Sequence, residues 1–239
     1  MSLIDYPGHL SAIVFTVGCN FRCHYCYNPM LVKPSEVDKF KNKTKFWNEE
    51  TGTGRALLKE RDFIDFLEKR KGKLDGIVIS GGEPTIHKDL IDFAKRIKKR
   101  GFLVKLDTNG TNPEALEKLL NKELLNYVAM DLKADENNYS YVVGVEVDLE
   151  KIKKSVKIIK ERGLDYEFRT TLVPNLVDEK EINRMGEMIR GADKWCLQQF
   201  VPAEELVDSE FKKIKPFSSE KLEEIQRQAQ AYVKHCILR

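Results

Sequence analysis

Short runs of apolar residues alternate with longer amphipathic segments along most of this chain of 239 residues. Six of the runs are rich in β-branched side chains and predict buried strands, because near-continuous apolarity is typical of parallel strands covered by helices. These runs occupy residues 11–17, 76–80, 102–107, 127–132, 166–173 and 195–200. The pattern therefore predicts a sheet that is buried on both faces.

Between these runs, apolar residues recur every three or four positions among charged ones, which predicts helices. The helices are expected at residues 56–71, 89–99, 113–120, 149–162 and 178–190, with a C-terminal helix over 218–232 in a helical segment 218–239. Strand and helix thus alternate six times, which predicts an α/β fold with a parallel sheet and right-handed crossovers. Six such units are compatible with an open doubly wound sheet or with a partial barrel, and periodicity does not choose between them.

Composition and charge narrow the class of protein. A 41% apolar content is enough for a sizeable core, and 239 residues are compatible with one large domain or with two small ones. The 41 basic and 38 acidic residues leave a net charge of +3, a balance that gives no indication of nucleic acid or an anionic membrane as a partner. The sequence has no apolar run near the ~20 residues of a membrane span and no features of a secretory signal. We therefore expect a cytoplasmic location.

Residues 34–54 interrupt the regular alternation with a polar, lysine-rich segment. One interpretation is a solvated loop between two elements. The other is a lid or a docking segment for a partner, because long loops beside active sites often have such roles. The sequence leaves both interpretations open.

Three of the five cysteines, Cys19, Cys23 and Cys26, lie directly after the first predicted strand. Ligands of parallel α/β folds bind at the carboxyl ends of the strands. Three thiolates at this CxxxCxxC spacing favour an iron–sulfur cluster, whereas a structural zinc site usually has four ligands. Zinc stays open as the alternative. Cys196, inside the sixth strand, is expected in the core, and Cys236 near the end of the last helix.

Polar and charged residues also follow the other predicted strands. Each group taken alone is compatible with an ordinary turn, but charged groups at strand ends are costly to bury unless they are paired. Their recurrence at one edge of the sheet therefore favours a binding site. The candidates are Gly81, Gly82 and Glu83 after the second strand, Asp107, Thr108 and Asn109 after the third, Asp131 and Lys133 after the fourth, and Arg169 in the fifth.

The three cysteines, with the aromatic Tyr25 before the third and Gly-Gly-Glu-Pro at 81–84, resemble the radical S-adenosylmethionine (SAM) superfamily. The resemblance covers nearly the whole chain and implies a partial (β/α)6 barrel of the TIM type. The length matches one such barrel, so we expect a single domain over residues 1–239. Within the superfamily the chain is most similar to the glycyl-radical-enzyme activases, above all to the activating proteins of anaerobic ribonucleoside-triphosphate reductase. The motifs that carry this narrower similarity are LIDYPG at 3–8, DTNG at 107–110, MDLK at 130–133 and LQQF at 197–200.

The resemblance implies that Cys19, Cys23 and Cys26 ligate a [4Fe-4S] cluster and that the amino and carboxylate groups of SAM chelate its fourth iron. One-electron reduction would then release a 5′-deoxyadenosyl radical, which takes a hydrogen atom from a glycine of a partner protein. The implied partners are a glycyl radical enzyme, above all anaerobic ribonucleotide reductase, and an electron donor such as flavodoxin or ferredoxin.

The same resemblance implies a position for each remaining candidate. Gly81, Gly82 and Glu83 would hold the amino group of SAM, and Tyr25 would lie by the adenine. Asp107, Thr108 and Asn109 would face the ribose or a nearby monovalent cation, and the cavity would be lined by Asp131, Lys133 and Arg169. Two alternatives are a small-molecule radical enzyme similar to carboxy-deazaguanine synthase and a non-enzymatic metal scaffold. The LIDYPG and MDLK motifs favour the activase over the first, and the second leaves the GGEP motif without a role.

Overall fold

A computed structural model describes residues 2–32 and 59–239 of the chain. Seven parallel strands form one sheet in which the spatial order equals the order along the chain. The strands are β1 (Ser11–Thr16), β2 (Gly76–Gly81), β3 (Leu103–Thr108), β4 (Tyr127–Asp131), β5 (Asp165–Leu172), β6 (Lys194–Gln199) and β7 (His235–Leu238). An order that never reverses is that of a barrel wall, whereas a doubly wound sheet reverses at a switch point. The predicted α/β fold with a partial barrel is confirmed, and the sheet is not closed.

Helices connect the strands as the apolar periodicity predicts. They are α1 (Pro29–Val32), α2 (Glu60–Arg70), α3 (Leu90–Lys98), α4 (Pro113–Asn121), α5 (Tyr139–Val143), α6 (Leu149–Glu161), α7 (Glu179–Met188) and α8 (Ser219–Gln230). The α7 helix begins with a capping box, in which the Asp178 carboxylate accepts from the Glu181 N–H and the Glu181 carboxylate accepts from the Asp178 N–H. No helix within the described ranges is long and apolar enough to cross a membrane.

The core lies between the sheet and the helices, and strand periodicity divides the side chains between two faces. On β3, Val104 and Leu106 pack into the helix-covered core, while Lys105 and Asp107 alternate with them. On the inner face, Val78 and Tyr127 form a smaller apolar cluster with Tyr6 of the N-terminal segment. Because successive side chains of a strand point to opposite faces, the charged residues of β3 share the inner face with this cluster.

The C-terminal segment differs from the prediction of a helix over 218–239. The α8 helix ends at Gln230, and residues 235–238 form β7, which pairs in parallel with β6 from Lys194↔His235 to Leu197↔Leu238. The helical prediction is therefore wrong at this end, because four residues are too few to show a strand periodicity. Cys236 accordingly lies in a strand and not at a helix end. The 34–54 segment and the first residues of the predicted helix 56–71 lie outside the described residues.

Candidate active site

The carboxyl ends of the strands surround a cavity of about 370 Å³. It is lined by all three cysteines and all ten further residues that the sequence assigned to cofactor binding. These are Cys19, Cys23, Tyr25, Cys26, Gly81, Gly82, Glu83, Asp107, Thr108, Asn109, Asp131, Lys133 and Arg169. A larger groove of about 600 Å³ between α5 and the start of α7 contains none of them. The fold thus brings the predicted residues together, and their individual roles remain predictions.

The cysteine loop (residues 18–26) follows β1 and is fixed by hydrogen bonds from its backbone. The Gly18 N–H donates to the carbonyl of Leu31 at 2.6 Å, and the Arg22 N–H donates to the carbonyl of Val143 at 2.7 Å. The guanidinium of Arg22 turns back and donates to the carbonyl oxygen of Cys19, also at 2.7 Å. The path of the loop is therefore held by the protein itself.

The three thiols of the loop are not paired in disulfides. Burial raises the pKa of Cys23 to about 12, and the positive charge of Lys133 opposes this rise only in part. Burial also raises the pKa of Cys19 above its ordinary value. Because thiolates are the form that binds metal, loading of a metal or cluster has to release protons from these thiols.

The donor set of the loop fits an iron–sulfur cluster. Soft thiolate ligands select zinc, copper(I) or iron–sulfur clusters. Among residues 2–32 and 59–239, no three His, Cys, Asp or Glu side chains are arranged to hold a single metal ion. A cluster does not require such convergence, because each thiolate binds a different iron. The loop could thus supply three of the four ligands that a [4Fe-4S] cluster takes.

The glycines of the GGEP turn (residues 81–84) allow this turn to touch the cysteine loop. A Cβ atom at Gly82 would overlap the carbonyl oxygen of Gly18, and one at Gly81, where φ is +120°, would overlap the backbone of Thr16. In the space left free, the Gly82 N–H donates to the Thr16 carbonyl at 2.9 Å and the Glu83 N–H donates to the Gly18 carbonyl at 2.8 Å. The turn and the loop therefore pack with their backbones in direct contact, which only glycine permits.

The carboxylate of Glu83 joins the GGEP turn to the turn after β3. Its Oε1 accepts from the Thr85 N–H at 3.0 Å, the Thr85 hydroxyl at 2.5 Å and the Thr108 hydroxyl at 2.7 Å. Its Oε2 accepts from the Asn109 N–H at 2.6 Å. Burial raises the pKa of Glu83 although these hydrogen bonds favour the ionised form. Glu83 thus fixes two turns of the site, and its predicted contact with an ammonium group stays a prediction.

Asn109 joins the same turn to the cysteine loop. Its amide Nδ2 donates to Asn20 Oδ1 at 2.9 Å, and its Oδ1 accepts from the Thr111 hydroxyl at 2.7 Å. The Asn20 amide in turn donates to the Thr111 hydroxyl at 2.8 Å. The Asn109 side chain is thereby oriented by its neighbours, and its predicted contact with a ribose is untested.

Five charged side chains form a row across the inner face of β3, β4 and β5. Lys105 Nζ lies 2.6 Å from Asp107 Oδ1, and the other oxygen of Asp107 lies 3.1 Å from Arg169 Nη1. Arg169 Nε donates to Asp131 Oδ1 at 2.7 Å, and Lys133 Nζ lies 3.0 Å from Asp131 Oδ2. The three cations and two carboxylates leave this wall of the cavity with one net positive charge.

Asp131, Lys133 and Arg169 of this row hold one another ionised. Burial acts to raise the pKa of Asp131, but the adjacent Arg169 and Lys133 lower it well below its ordinary value. Burial acts to lower the pKa of Lys133, but Asp131 and the neighbouring phenol and thiol keep it well above its ordinary value. Sequence reasoning missed Lys105, which is 2% exposed. The signal was available, because Lys105 stands two positions before Asp107 and therefore on the same face of the strand.

Other residues of the cavity wall were absent from the predicted site or were quoted only within motifs. Phe15, the fifth residue of β1, is 53% exposed and lines the cavity. Tyr27 directly follows the third cysteine, and its hydroxyl accepts from the Val201 N–H at 3.0 Å. The remaining ones are Phe21, Asn28, Val32, Ser80, Thr171, Gln198 and Gln199. Most of these are apolar or neutral, so no motif chemistry distinguishes them in the sequence.

A segment after β6 covers the outer side of the cysteine loop; we call residues 206–213 the clamp segment. The Val207 N–H donates to the Cys26 carbonyl at 3.2 Å, and the Asp208 N–H donates to the His24 carbonyl at 2.9 Å. The His24 ring lies 3.3 Å from the Asp208 carboxylate and stacks on Phe211 with ring centroids 5.5 Å apart. His24 therefore fixes the loop from outside.

Comparisons with known proteins agree with this site. Residues 13–185 match the family described as the radical SAM superfamily. A proposed glycyl-radical enzyme activating enzyme of Methanocaldococcus jannaschii is 38% identical over 246 aligned residues, which cover 100% of this chain and 92% of the relative. The pyruvate formate-lyase-activating enzyme of Clostridium pasteurianum is 30% identical over 201 residues, 80% of this chain and 73% of that enzyme.

A solved structure resembles the fold. SuiB of Streptococcus suis bound to S-adenosylmethionine superposes with a TM-score of 0.66 at 14% identity, over 96% of this chain and 50% of SuiB. This chain spans about half of that structure, so the similarity concerns the barrel alone. The family match covers most of the chain and includes the cysteine loop, the GGEP turn and the charged row. The chain belongs to the radical SAM superfamily.

Proposed function

We propose that this radical SAM enzyme is a glycyl-radical-enzyme activase. The observation that carries the proposal is the single cavity in which three unpaired cysteines, the GGEP turn and the charged row meet. Relatives from two organisms that align with most of this chain are named as activating enzymes. A protein of this class acts on a glycine in the backbone of a partner protein.

In this proposal Cys19, Cys23 and Cys26 hold the [4Fe-4S] cluster. The cluster, when bound with SAM, supplies one-electron chemistry that generates a carbon radical from the nucleoside. The chain contributes orientation and exclusion of water. The backbone of the GGEP turn offers a polar surface for the amino group of SAM, and Lys133 and Arg169 supply positive charge for its carboxylate.

The unclosed sheet supports a protein substrate. The β1 and β7 strands, at the two edges of the sheet, do not pair with each other within the described ranges. The mouth of the cavity carries apolar side chains that face solvent, with Phe15 53% and Tyr27 39% exposed. A gap lined in this way suits a peptide loop that carries a glycine.

We further propose anaerobic ribonucleotide reductase as the partner, with flavodoxin or ferredoxin as the electron donor. The support for this partner is the set of motifs LIDYPG, DTNG, MDLK and LQQF. A monovalent cation beside Asp107, Thr108 and Asn109 is also proposed from the resemblance. The geometry at Asp107 does not favour it, because both carboxylate oxygens already face cations, Lys105 at 2.6 Å and Arg169 at 3.1 Å.

Anaerobic reconstitution with iron and sulfide tests the proposal. The protein should take up about four irons, consume SAM under reductant and form 5′-deoxyadenosine. Mixed with a candidate partner, it should produce a glycyl radical detectable by electron paramagnetic resonance. The Cys23→Ala variant should lose all three signals. The matched control Cys196→Ala, which changes a cysteine away from the cavity, should keep them. A wild-type protein that binds zinc without cleaving SAM would contradict the proposal.

A further inference from the structure

Tyr25 carries a buried polar atom without a partner. The residue is 4% exposed, and its hydroxyl makes no hydrogen bond to any residue that the structure describes. Nearly all buried polar groups of native proteins are hydrogen-bonded, so an unpartnered one needs an explanation. Tyr139, a second buried tyrosine beside the cysteine loop, differs in this respect, because its hydroxyl accepts from the Lys133 N–H at 3.4 Å.

The surroundings of Tyr25 limit what its partner can be. It stands between Cys23 and Cys26 on the cysteine loop and lines the same cavity as both. Burial is the main cause that raises the pKa of the phenol, and the nearby Lys133 ammonium opposes this rise. Lys133 offers only donors, and it already donates to Asp131 at 3.0 Å. What the site lacks is an acceptor for the phenolic O–H.

A bound cluster would bring such an acceptor. Its sulfides and its cysteine thiolates carry negative charge, and hydrogen bonds to these sulfurs help to set the reduction potential. We propose that the Tyr25 hydroxyl donates a hydrogen bond to a sulfur of the cluster and thereby raises its reduction potential. This inference rests on the cluster assignment of the proposed function and does not depend on the identity of the partner protein.

Tyr25→Phe tests the inference, because it removes only the hydroxyl. In the cluster-free protein the variant should unfold at the same or a slightly higher denaturant concentration, since no hydrogen bond is lost. In the reconstituted protein without SAM, the midpoint potential should become more negative. We expect about a tenfold change in the reduction equilibrium, which is 59 mV for a one-electron couple.

Tyr139→Phe is the matched control. It removes a hydroxyl that has a partner, so it should lower the stability of the cluster-free protein and leave the potential close to that of the wild type. Two results would overturn the inference. One is an unchanged potential in Tyr25→Phe, including the case in which only the affinity for SAM falls, because the hydroxyl would then face the nucleoside. The other is a cluster-free Tyr25→Phe protein as destabilised as Tyr139→Phe. Failure of the wild type to take up a cluster would instead count against the proposed function.

Discussion

At the residue scale, the missing side chain of Gly82 decides how closely the GGEP turn approaches the cysteine loop. Because Gly82 has no side chain, its N–H can reach the carbonyl of Thr16 and the Glu83 N–H can reach the carbonyl of Gly18. Glu83 and Asn109 then extend the contact to the turn after β3. Three loops are thus held by hydrogen bonds that leave little freedom to any one of them.

Gly82→Ala should displace the cysteine loop, because its methyl group would overlap the carbonyl oxygen of Gly18. Overpacking of this kind costs about 1–3 kcal/mol. Urea unfolding should show this loss, and iron content after reconstitution should fall. Gly163→Ala is the control: its Cβ meets nothing within 4 Å, and φ of +67° adds strain alone, about 1 kcal/mol, without loss of iron. Equal iron content in both variants would contradict the argument.

Asp131→Asn should destabilise the protein at neutral pH, because it leaves Arg169 and Lys133 with one anion fewer. Removing one partner of a buried pair costs about 3 kcal/mol. The pKa of Asp131 is lowered in the folded protein, so the unfolded chain binds more protons between the two values. The contribution of Asp131 is therefore complete above its unfolded value of 3.8 and is lost as the pH falls below it.

Urea unfolding of wild type and Asp131→Asn between pH 7 and pH 3 measures this effect. The difference in free energy of unfolding should be largest near pH 7 and should shrink toward pH 3. Asp92→Asn, on the exposed side of α3, is the control and should differ from the wild type by less than about 0.5 kcal/mol. A difference that stays constant with pH would show that Asp131 acts through packing and not through its charge.

The residues of the site were largely predictable, because their types are demanded by chemistry and their positions by strand ends. Cysteines at fixed spacing, paired glycines and charges at the carboxyl ends of strands are all visible in one sequence. Lys105 was overlooked although its spacing from Asp107 places both on one face of β3, whereas Phe15 was not found because an apolar residue inside a strand looks like a core residue. The hydrogen bonds of Glu83 were also out of reach, since they depend on how two turns approach each other.

At the scale of elements, the clamp segment is one of the non-local supports of the cysteine loop. Asp208→Asn should weaken the contact between its side chain and the His24 ring, which lies 3.3 Å away, and increase local opening of the loop. A partly exposed contact of this kind contributes about 0.2–1 kcal/mol, so amide hydrogen exchange of the cysteine loop should accelerate by a factor between about 1.4 and 5. Glu210→Gln, which breaks the neighbouring exposed pair with Lys213, should leave that exchange unchanged. Equal rates in both variants would show that the clamp segment acts through its backbone alone.

Arg239, directly after β7, joins this strand to a buried carboxylate of β5. The Arg239 guanidinium donates to both oxygens of Glu167, at 3.2 and 3.0 Å, and Glu167 is 1% exposed. Arg239→Gln should cost about 3 kcal/mol, because it leaves a buried carboxylate without its cation. Lys234→Gln, which removes an exposed pair with Asp193, should cost less than about 1 kcal/mol. Thermal unfolding of the two variants measures the contrast, and equal losses would refute it.

The predicted elements agree with the observed ones wherever a strand or helix is long enough to show its period. The α3, α4 and α6 helices lie within a residue or two of their predicted limits. The β7 strand was missed because its four residues, His235–Leu238, are too few to show a strand periodicity. The five-residue α5 was missed for the same reason of length, although it supplies the Val143 carbonyl that holds the cysteine loop.

At the scale of the whole molecule, the net charge of +3 conceals a separation of charge. The first turns of the longer helices carry acidic residues and most of their last turns carry basic ones. In a βα unit the helix begins at the carboxyl end of its strand, so the acidic ends lie toward the cavity and the basic ends away from it. The near-neutral total seen in the composition therefore says little about either end of the barrel. The choice of barrel over doubly wound sheet was likewise hidden, because strand order is a long-range property.

Binding of SAM should stabilise the whole molecule only when all three cysteines of the loop are present. SAM at a hundred times its dissociation constant should raise the free energy of unfolding of the reconstituted wild type by about 2.7 kcal/mol. The Cys23→Ser variant, which loses one cluster ligand in our proposal, should show little of this rise. Denaturant unfolding with and without SAM under anaerobic conditions provides the measurement. An equal rise in both proteins would place SAM binding outside the influence of the cysteine loop.

The direct backbone contact between the GGEP turn and the cysteine loop has a thermodynamic consequence. Two ligands whose binding surfaces share hydrogen bonds affect each other's affinity, and linkage requires the two effects to be equal. The factor by which a loaded cysteine loop tightens SAM binding is then the factor by which bound SAM tightens the hold on the cluster. An enzyme of this construction would protect its cluster best while its cosubstrate is abundant, so starvation for SAM would also expose its metal centre to loss.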